Sequence, residues 1–541
     1  MQQMFWHSAV SDHRGVNISD KTQVSMSSSM RARSNKLTSS SLLARNATLN
    51  LATEGWIFLV LLVTMPRLVS FLGETAFGLF SLAWVVIGYL AFLDIGVNRA
   101  ATKFVSEHLA EQDHESVLHI ARTALVANLG LGLVGGLAVV LTSPYLMHWV
   151  FKASPGLADQ ARLTFYAVGL AVPVLLVQGV LRAVLSSYQK FGWINAVNVV
   201  TTAAQWGTAA VLAWKGHGVA LVVFSTVVAR ILGTAAYAIV VSRTLPGLNL
   251  LRSNGLHGLP KLLRFGSWVT VSQLVSPMLV YLDRVLIASF VSLAAVTLYT
   301  VPTEVMTRLR IIPSSLVTTL YPAFSERGTQ DQREQLQRLY AGSVHYLLIV
   351  MLPGILFLLV FGADLLTLWM GPQFAQQTSV VLQILGFGVL LNCMANIPYN
   401  ALQALGRPDI TGKLHLLELP LYVVLCVLLI PRWGIAGAAF ANSFRISLDA
   451  ALLFWAAHRF CHCSVGPFWV RVFPRIFGLS GALALSLVAI RLTLPSLWGR
   501  LSTGLLSVGI YFVGVWLLLV DRGDKPRIGR VVRLLIGQPA S

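Results

Sequence analysis

From about residue 47 the chain is a succession of apolar stretches, each near 20 residues long and separated by short polar connections that carry most of the lysine and arginine. The stretches lie at about 47–71, 76–98, 119–141, 163–185, 194–214, 218–242, 265–290, 293–318, 339–361, 379–401, 414–430, 434–457, 473–491 and 501–520. A helix of ~20 apolar residues crosses a hydrocarbon layer of ~30 Å. The runs lack the period-2 alternation of barrel strands, and lipid cannot satisfy open backbone groups, so each stretch must be helical. The pattern predicts an all-α polytopic membrane protein with about 14 transmembrane helices. Pro173, Pro277, Pro302, Pro313, Pro353 and Pro398 fall inside these spans, where membrane helices tolerate them as kinks.

Composition removes the soluble alternatives. The 541 residues are 56% hydrophobic and 11% charged, against roughly 25% charged in soluble domains. The net charge of +19, from 40 Lys+Arg and 21 Asp+Glu, would suit nucleic acid only if it sat on an exposed basic face, and the apolar runs leave no room for one. With the amino terminus inside, one set of loops holds the great majority of the basic residues. The other set holds only Lys152, Arg162, Lys215, Arg432, Arg491 and Arg500. That asymmetry places both termini in the cytosol and draws the inner face to anionic membrane lipids. Cys393, Cys426, Cys461 and Cys463 are too few for a disulfide framework.

Residues 1–46 are polar and Ser/Met-rich, without a signal-peptide apolar core, and are expected to form a disordered cytosolic tail in which Met26 or Met30 is an alternative start. Two landmarks then recur. Gln189-Lys190-Phe191-Gly192, Gly218-Val219-Ala220 with Phe224, and Arg230 are matched by Gln403-Ala404-Leu405-Gly406, Gly434-Ile435-Ala436 with Phe440, and Arg445. Arg67 with Leu79-Phe80-Ser81-Leu82 pairs with Arg284 and Leu298-Tyr299-Thr300-Val301, so all offsets fall between 214 and 219 residues. Six crossings return the chain to its starting side, so the copies are two parallel six-helix repeats related by an axis along the membrane normal. Transporters built this way bind substrate between the halves. The expected organisation is a bundle at 47–242, a cytosolic linker at 243–264, a bundle at 265–458, two extra helices at 473–520 and a basic cytosolic tail at 521–541.

Arg230 and Arg445 fall about twelve residues into their spans, where an arginine facing lipid costs ~2.5–3.5 kcal/mol; Arg67, Arg284 and Arg308 are the other arginines at or near membrane depth. Repeat-related cations of this kind are expected to line a wet cavity that selects an anion. Asp94, Asp283, Glu304 and Asp449 are the candidate ion-coupling carboxylates, Asp449 lying four residues after Arg445 and at ion-pair reach; the alternative is that they only neutralise arginines. The aromatic residues read as interfacial belts. His458, Cys461, His462 and Cys463 stand in one short loop without a second cluster and are not read as a metal site. No Gly-Lys-[Ser/Thr] phosphate loop occurs, so ATP does not drive the chain directly. No cofactor and no enzymatic activity are expected.

The stretch Arg67 to Phe80, then Phe92-Leu93-Asp94-Ile95-Gly96-Val97-Asn98-Arg99, resembles the opening helices of bacterial polysaccharide exporters of the O-antigen flippase type. These belong to the multidrug/oligosaccharidyl-lipid/polysaccharide exporter superfamily. Tyr281-Leu282-Asp283-Arg284, Tyr321-Pro322-Ala323-Phe324-Ser325 and the segment from Gln403 to Phe440 resemble the second half of the same family. The resemblance covers about residues 42–520. It implies a V-shaped pair of six-helix bundles that moves undecaprenyl-diphosphate-linked oligosaccharide to the periplasmic leaflet, with cavity arginines meeting diphosphate or acidic sugars, and with a polysaccharide polymerase or export complex as a partner. A drug/cation antiporter of the same superfamily would want a carboxylate-lined cavity instead. A membrane glycosyltransferase or ligase would want a large outer loop with catalytic carboxylates, and the longest outer connections, about 142–162 and 362–378, are short. A purely structural scaffold leaves the repeat and the buried charge without a purpose.

Overall fold

The computed structural model describes residues 40–94, 96–146, 155–248, 275, 277–326 and 333–519. The tail before residue 40, most of the 243–264 linker, the start of the seventh predicted span and the tail from residue 520 lie outside the described residues.

The described chain is built from helices: α1 (Ser40–Leu72), α2 (Glu74–Leu90), α3 (Val97–Ala110), α4 (His114–Tyr145), α5 (Pro155–Ser187), α6 (Phe191–Trp214) and α7 (Val219–Thr244), then a helical stretch at 277–290, α8 (Leu293–Arg308), α9 (Ile311–Glu326), α10 (Arg333–Met370), α11 (Pro372–Ala404), α12 (Pro408–Cys461), α13 (Gly466–Thr493) and α14 (Leu497–Leu518). Ten of the described helices are long and apolar enough to cross a membrane. At three of the helix starts a polar side chain takes a free backbone donor. Asp113 accepts from Ser116 N at 3.0 Å at the start of α4, a bond that holds its carboxyl below the usual range. Ser292 accepts from Ala295 N at 3.1 Å and Ser496 from Gly499 N at 2.9 Å at the starts of α8 and α14.

Four boundaries differ from the sequence reading. Helix α1 begins at Ser40, inside the expected tail. The second span ends at Leu90 and continues as one 3-10 turn, Ala91–Asp94, before the amphipathic α3 buries Val97, Ala100, Ala101, Phe104 and Val105. The stretch at 293–318 is two helices, parted at Leu309 and Arg310, where a charged residue interrupts the apolar run. Spans 414–430 and 434–457 form one helical run interrupted only at Gly434, whose φ of 57° and ψ of −134° are non-helical. That conformation costs a residue with a Cβ on the order of 1–3 kcal/mol. The chain folds back there, because Arg445 lies 3.4 Å from Glu418, whereas 27 residues of straight helix would part them by roughly 40 Å.

Helices α1–α7 pack into one half and α8–α12 into the other, with α13 and α14 laid against α10. Arg500 pairs with Asp364 at 3.1 Å and Arg491 donates to the Val360 carbonyl, which fastens these two helices to the second half. The halves meet chiefly where α2 crosses α8. The Thr297 hydroxyl donates to the Glu74 carbonyl at 2.5 Å, and a Cβ at Gly78 would collide with the Leu293 carbonyl. Glu74 and Leu293, like Gly78 and Thr297, are separated by 219 residues, the same offset that relates Leu79 to Leu298. Each copy of the repeat thus presents the same positions to the other, the signature of a two-fold contact.

Candidate functional site

Beneath that crossing the halves enclose a cavity of about 360 Å³ lined from α1, α2, α6, α7, the 277–290 stretch and α8. Its cations are Arg230, Arg284 and Arg308, and the carboxylate lining it is Glu304. Arg230 lies over the Trp84 ring at 5.1 Å, and Trp84 stacks on Trp206 with ring planes 9° apart. Gln205 and Thr202 stand beside this pile. Arg230 has no carboxylate within ion-pair distance among the described residues. Arg284 binds Glu304 at 3.1 Å, and Arg308 reaches Glu304 at 3.7 Å and Glu54 at 3.5 Å. Arg284 and Arg308 are thus neutralised by carboxylates, and Arg230 is the cation of the cavity that has none at ion-pair distance among the described residues. Arginine in a low-dielectric, aromatic-walled space suits a phosphate or carboxylate, which it meets with two parallel hydrogen bonds.

Asp283 is buried behind this wall and accepts from the Tyr299 hydroxyl at 2.5 Å and from Arg284 N at 2.8 Å. Further into the second half, Arg445 lies over the Tyr422 ring at 5.2 Å, pairs with Glu418 and donates to the Asn442 side chain at 3.1 Å. The Glu418 side chain is fully buried. Glu418 Oε1 and Asp449 Oδ1 are buried without a hydrogen-bond partner, although the two carboxyls lie close enough to interact.

Of the arginines singled out by sequence, the fold brings Arg230, Arg284 and Arg308 into one cavity. It places Arg445 inside the second bundle and leaves Arg67 exposed near the end of α1. The Arg445 partner is Glu418 rather than Asp449, because the reversal at Gly434 brings the other arm of α12 alongside. Glu304 lines the cavity, whereas Asp94 accepts from Asn98 N and Asn128 Nδ2, each at 3.0 Å, and so holds the start of α3. Trp84 and Trp206 read from sequence as interfacial aromatics, and Arg99 and Arg182 as two of the many basic residues on the cytoplasmic side, so the sequence singles out none of the four. Arg182 carried a readable signal, since it falls inside an apolar run. Among the described residues no group of His, Cys, Asp and Glu is placed to hold a metal.

Two like-oriented helical halves around a central cavity define a class of membrane transporter fold. The structure is similar to the lipid II flippase MurJ in an inward closed conformation, with a TM-score of 0.65 at 13% identity over 88% of this chain and 98% of that one. It is also similar to an inward-facing multidrug resistance MATE family transporter of the MOP superfamily, with a TM-score of 0.61 at 15% identity over 77% and 94%. By sequence, residues 43–327 match the polysaccharide biosynthesis protein family, and the chain belongs to it. A Shigella flexneri protein named as an O-antigen transporter is 26% identical over 77% of this chain and 98% of its own length. A Haloferax volcanii protein named as flippase AglR is 24% identical over 70% and 76%. The ten apolar helices long enough to cross a membrane make this a multi-pass membrane protein.

Proposed function

We propose that this protein is a flippase that carries an undecaprenyl-diphosphate-linked oligosaccharide, such as an O-antigen or polysaccharide repeat unit, across the inner membrane by alternating access. The observation that carries the reading is the cavity between the halves, where Arg230 stands without a carboxylate partner and is stacked on paired tryptophans. Such a site attracts the diphosphate while the prenyl tail stays in lipid. The uncompensated guanidinium of Arg230 disfavours a cation exporter, which would need net negative charge at the same place. The names of the curated relatives support the same reading.

In this scheme Arg230, Arg284 and Arg308 meet the anionic headgroup. Arg67 and Arg445 act away from the central cavity, the first at an exposed end and the second by holding Glu418. Among the coupling candidates, Asp94 and Asp283 are occupied by donors and Glu304 by two arginines, whereas Asp449 keeps an oxygen without a partner. Asp449, with Glu418 beside it, is the pair best suited to take up a proton during the cycle. Both termini face the cytosol by the distribution of basic loops, and a polysaccharide polymerase receives the product.

The test is deletion of the gene followed by identification of the lipid-linked glycan stalled on the cytosolic side. Restoration of surface glycan by the wild-type protein and not by Arg230→Ala is the expected result. Normal surface glycan in the deletion strain, or full restoration by the variant, would overturn the assignment.

A further inference from the structure

A second cavity, of about 450 Å³, opens within the first half where α1, α3, α5 and α6 converge. Its chemistry is unlike that of the first. Four asparagines, Asn50, Asn98, Asn195 and Asn198, line it together with Arg99 and Arg182. Asn195 is buried, Asn98 and Asn198 are half-buried and Asn50 is exposed, so the four amides present donors and acceptors to the pocket instead of being sealed in a core. Three of the four amides are held before any ligand arrives. Asn195 donates to the Asn50 oxygen at 2.8 Å, and the Asn98 oxygen accepts from Asn128 at 3.1 Å, Asn128 itself being fixed by Asp94.

The two cavities adjoin. Glu54 lines the second and pairs with Arg308, which lines the first. Arg182 of the second is near enough to Arg230 of the first for their charges to repel. An anion seated at the boundary would relieve that repulsion and leave whatever is attached to it inside the asparagine pocket.

We infer that this pocket is the saccharide subsite, in which the sugar next to the diphosphate is read by the amides of Asn50, Asn98, Asn195 and Asn198. A sugar hydroxyl is donor and acceptor at once, and an amide, which carries both functions, can meet either side of it. The volume falls in the range of ~300–1,000 Å³ typical of small-ligand sites. This assignment rests on the flippase reading above and adds to it the part of the substrate that the protein discriminates.

The experiment uses the purified full-length protein in nanodiscs and two probes. One is the lipid-linked saccharide that accumulates in a strain lacking the protein; the other is undecaprenyl diphosphate that carries no glycan. The wild type is expected to bind the saccharide form more tightly. Asn50→Ala and Asn198→Ala are expected to weaken that binding by about five- to tenfold each while leaving affinity for the bare diphosphate unchanged, which also reports that the variants are folded. Equal loss for both probes, no loss for either, or a wild type that does not distinguish them would overturn the subsite. A wild type that binds neither probe would instead overturn the flippase reading itself.

Discussion

Arg308 of α8 lies 3.5 Å from Glu54 of α1 and 3.7 Å from Glu304 of its own helix, so one guanidinium joins the two halves across the cavity. Glu54 stands 18 residues before the end of α1 and Arg308 15 residues after the start of α8, which places this link on the order of 20 Å along the helices from the Gly78 and Leu293 contact. The cavity is therefore tied at both ends, and either tie must yield for it to open.

The Glu54 tie is the weaker. Its side chains are 51% and 30% exposed, and exposed pairs contribute about 0–1 kcal/mol. Glu54→Gln is expected to shift the population toward opening at that end by up to about fivefold. In a background with Cys393, Cys426, Cys461 and Cys463 replaced, a cysteine at Ser81, which lines the cavity and is nearly buried, should then react faster with a soluble maleimide. An unchanged rate would mean that the pair does not restrain the halves.

The other tie is steric. Only a residue without a side chain lets α2 approach the Leu293 carbonyl as Gly78 does. Gly78→Val is expected to hold the halves apart at that end and to abolish export with normal insertion into the membrane. Labels on the first turns of α2 and α8 should show a longer distance than in the wild type. A functional valine variant would mean that this crossing is not a closing surface.

The helices were legible because lipid leaves the backbone one solution, and the repeat was legible because the landmarks at Gln189 and Gly218 recur in the same order and spacing at Gln403 and Gly434. The positions of Arg230 and Arg284 followed from depth alone. The partners did not. Arg445 pairs with Glu418 through a reversal at Gly434 that apolar spacing cannot reveal, and Arg182 comes to share a pocket with Asn198 only through the packing of α5 on its neighbours. The break at Leu309 and Arg310 was hidden for a similar reason: the hydrophobic run on either side is long enough to read as one span.

Arg230 has the Trp84 ring below it and no carboxylate beside it, so its charge is free for the substrate. Arg230→Ala is expected to abolish export and to raise the cytosolic pool of lipid-linked saccharide. Trp84→Ala should act more mildly, since a cation–π contact contributes about 1 kcal/mol, roughly a fivefold change in transport rate. Arg230→Lys keeps the charge but loses the flat, two-pronged geometry, and should fall between the two. Transport assays on proteoliposomes order the three variants; an alanine variant more active than the tryptophan one would contradict the stacked-cation arrangement.

Arg445 and Glu418 make the opposite case, a cation whose role is internal. Removing one member of a buried pair leaves an uncompensated charge and costs on the order of 3 kcal/mol or more. Arg445→Ala strands Glu418, whose side chain is fully buried, beside Asp449. It is expected to lower thermal stability and abundance in the membrane, with binding of the saccharide lipid by the surviving protein little changed. Adding Glu418→Gln removes the stranded charge and should restore much of the lost stability. The single and double variants form a cycle that isolates the pair. Additive effects of the two substitutions would mean that Arg445 and Glu418 do not act on each other, and loss of substrate binding at wild-type stability would move Arg445 back among the groups that meet the headgroup.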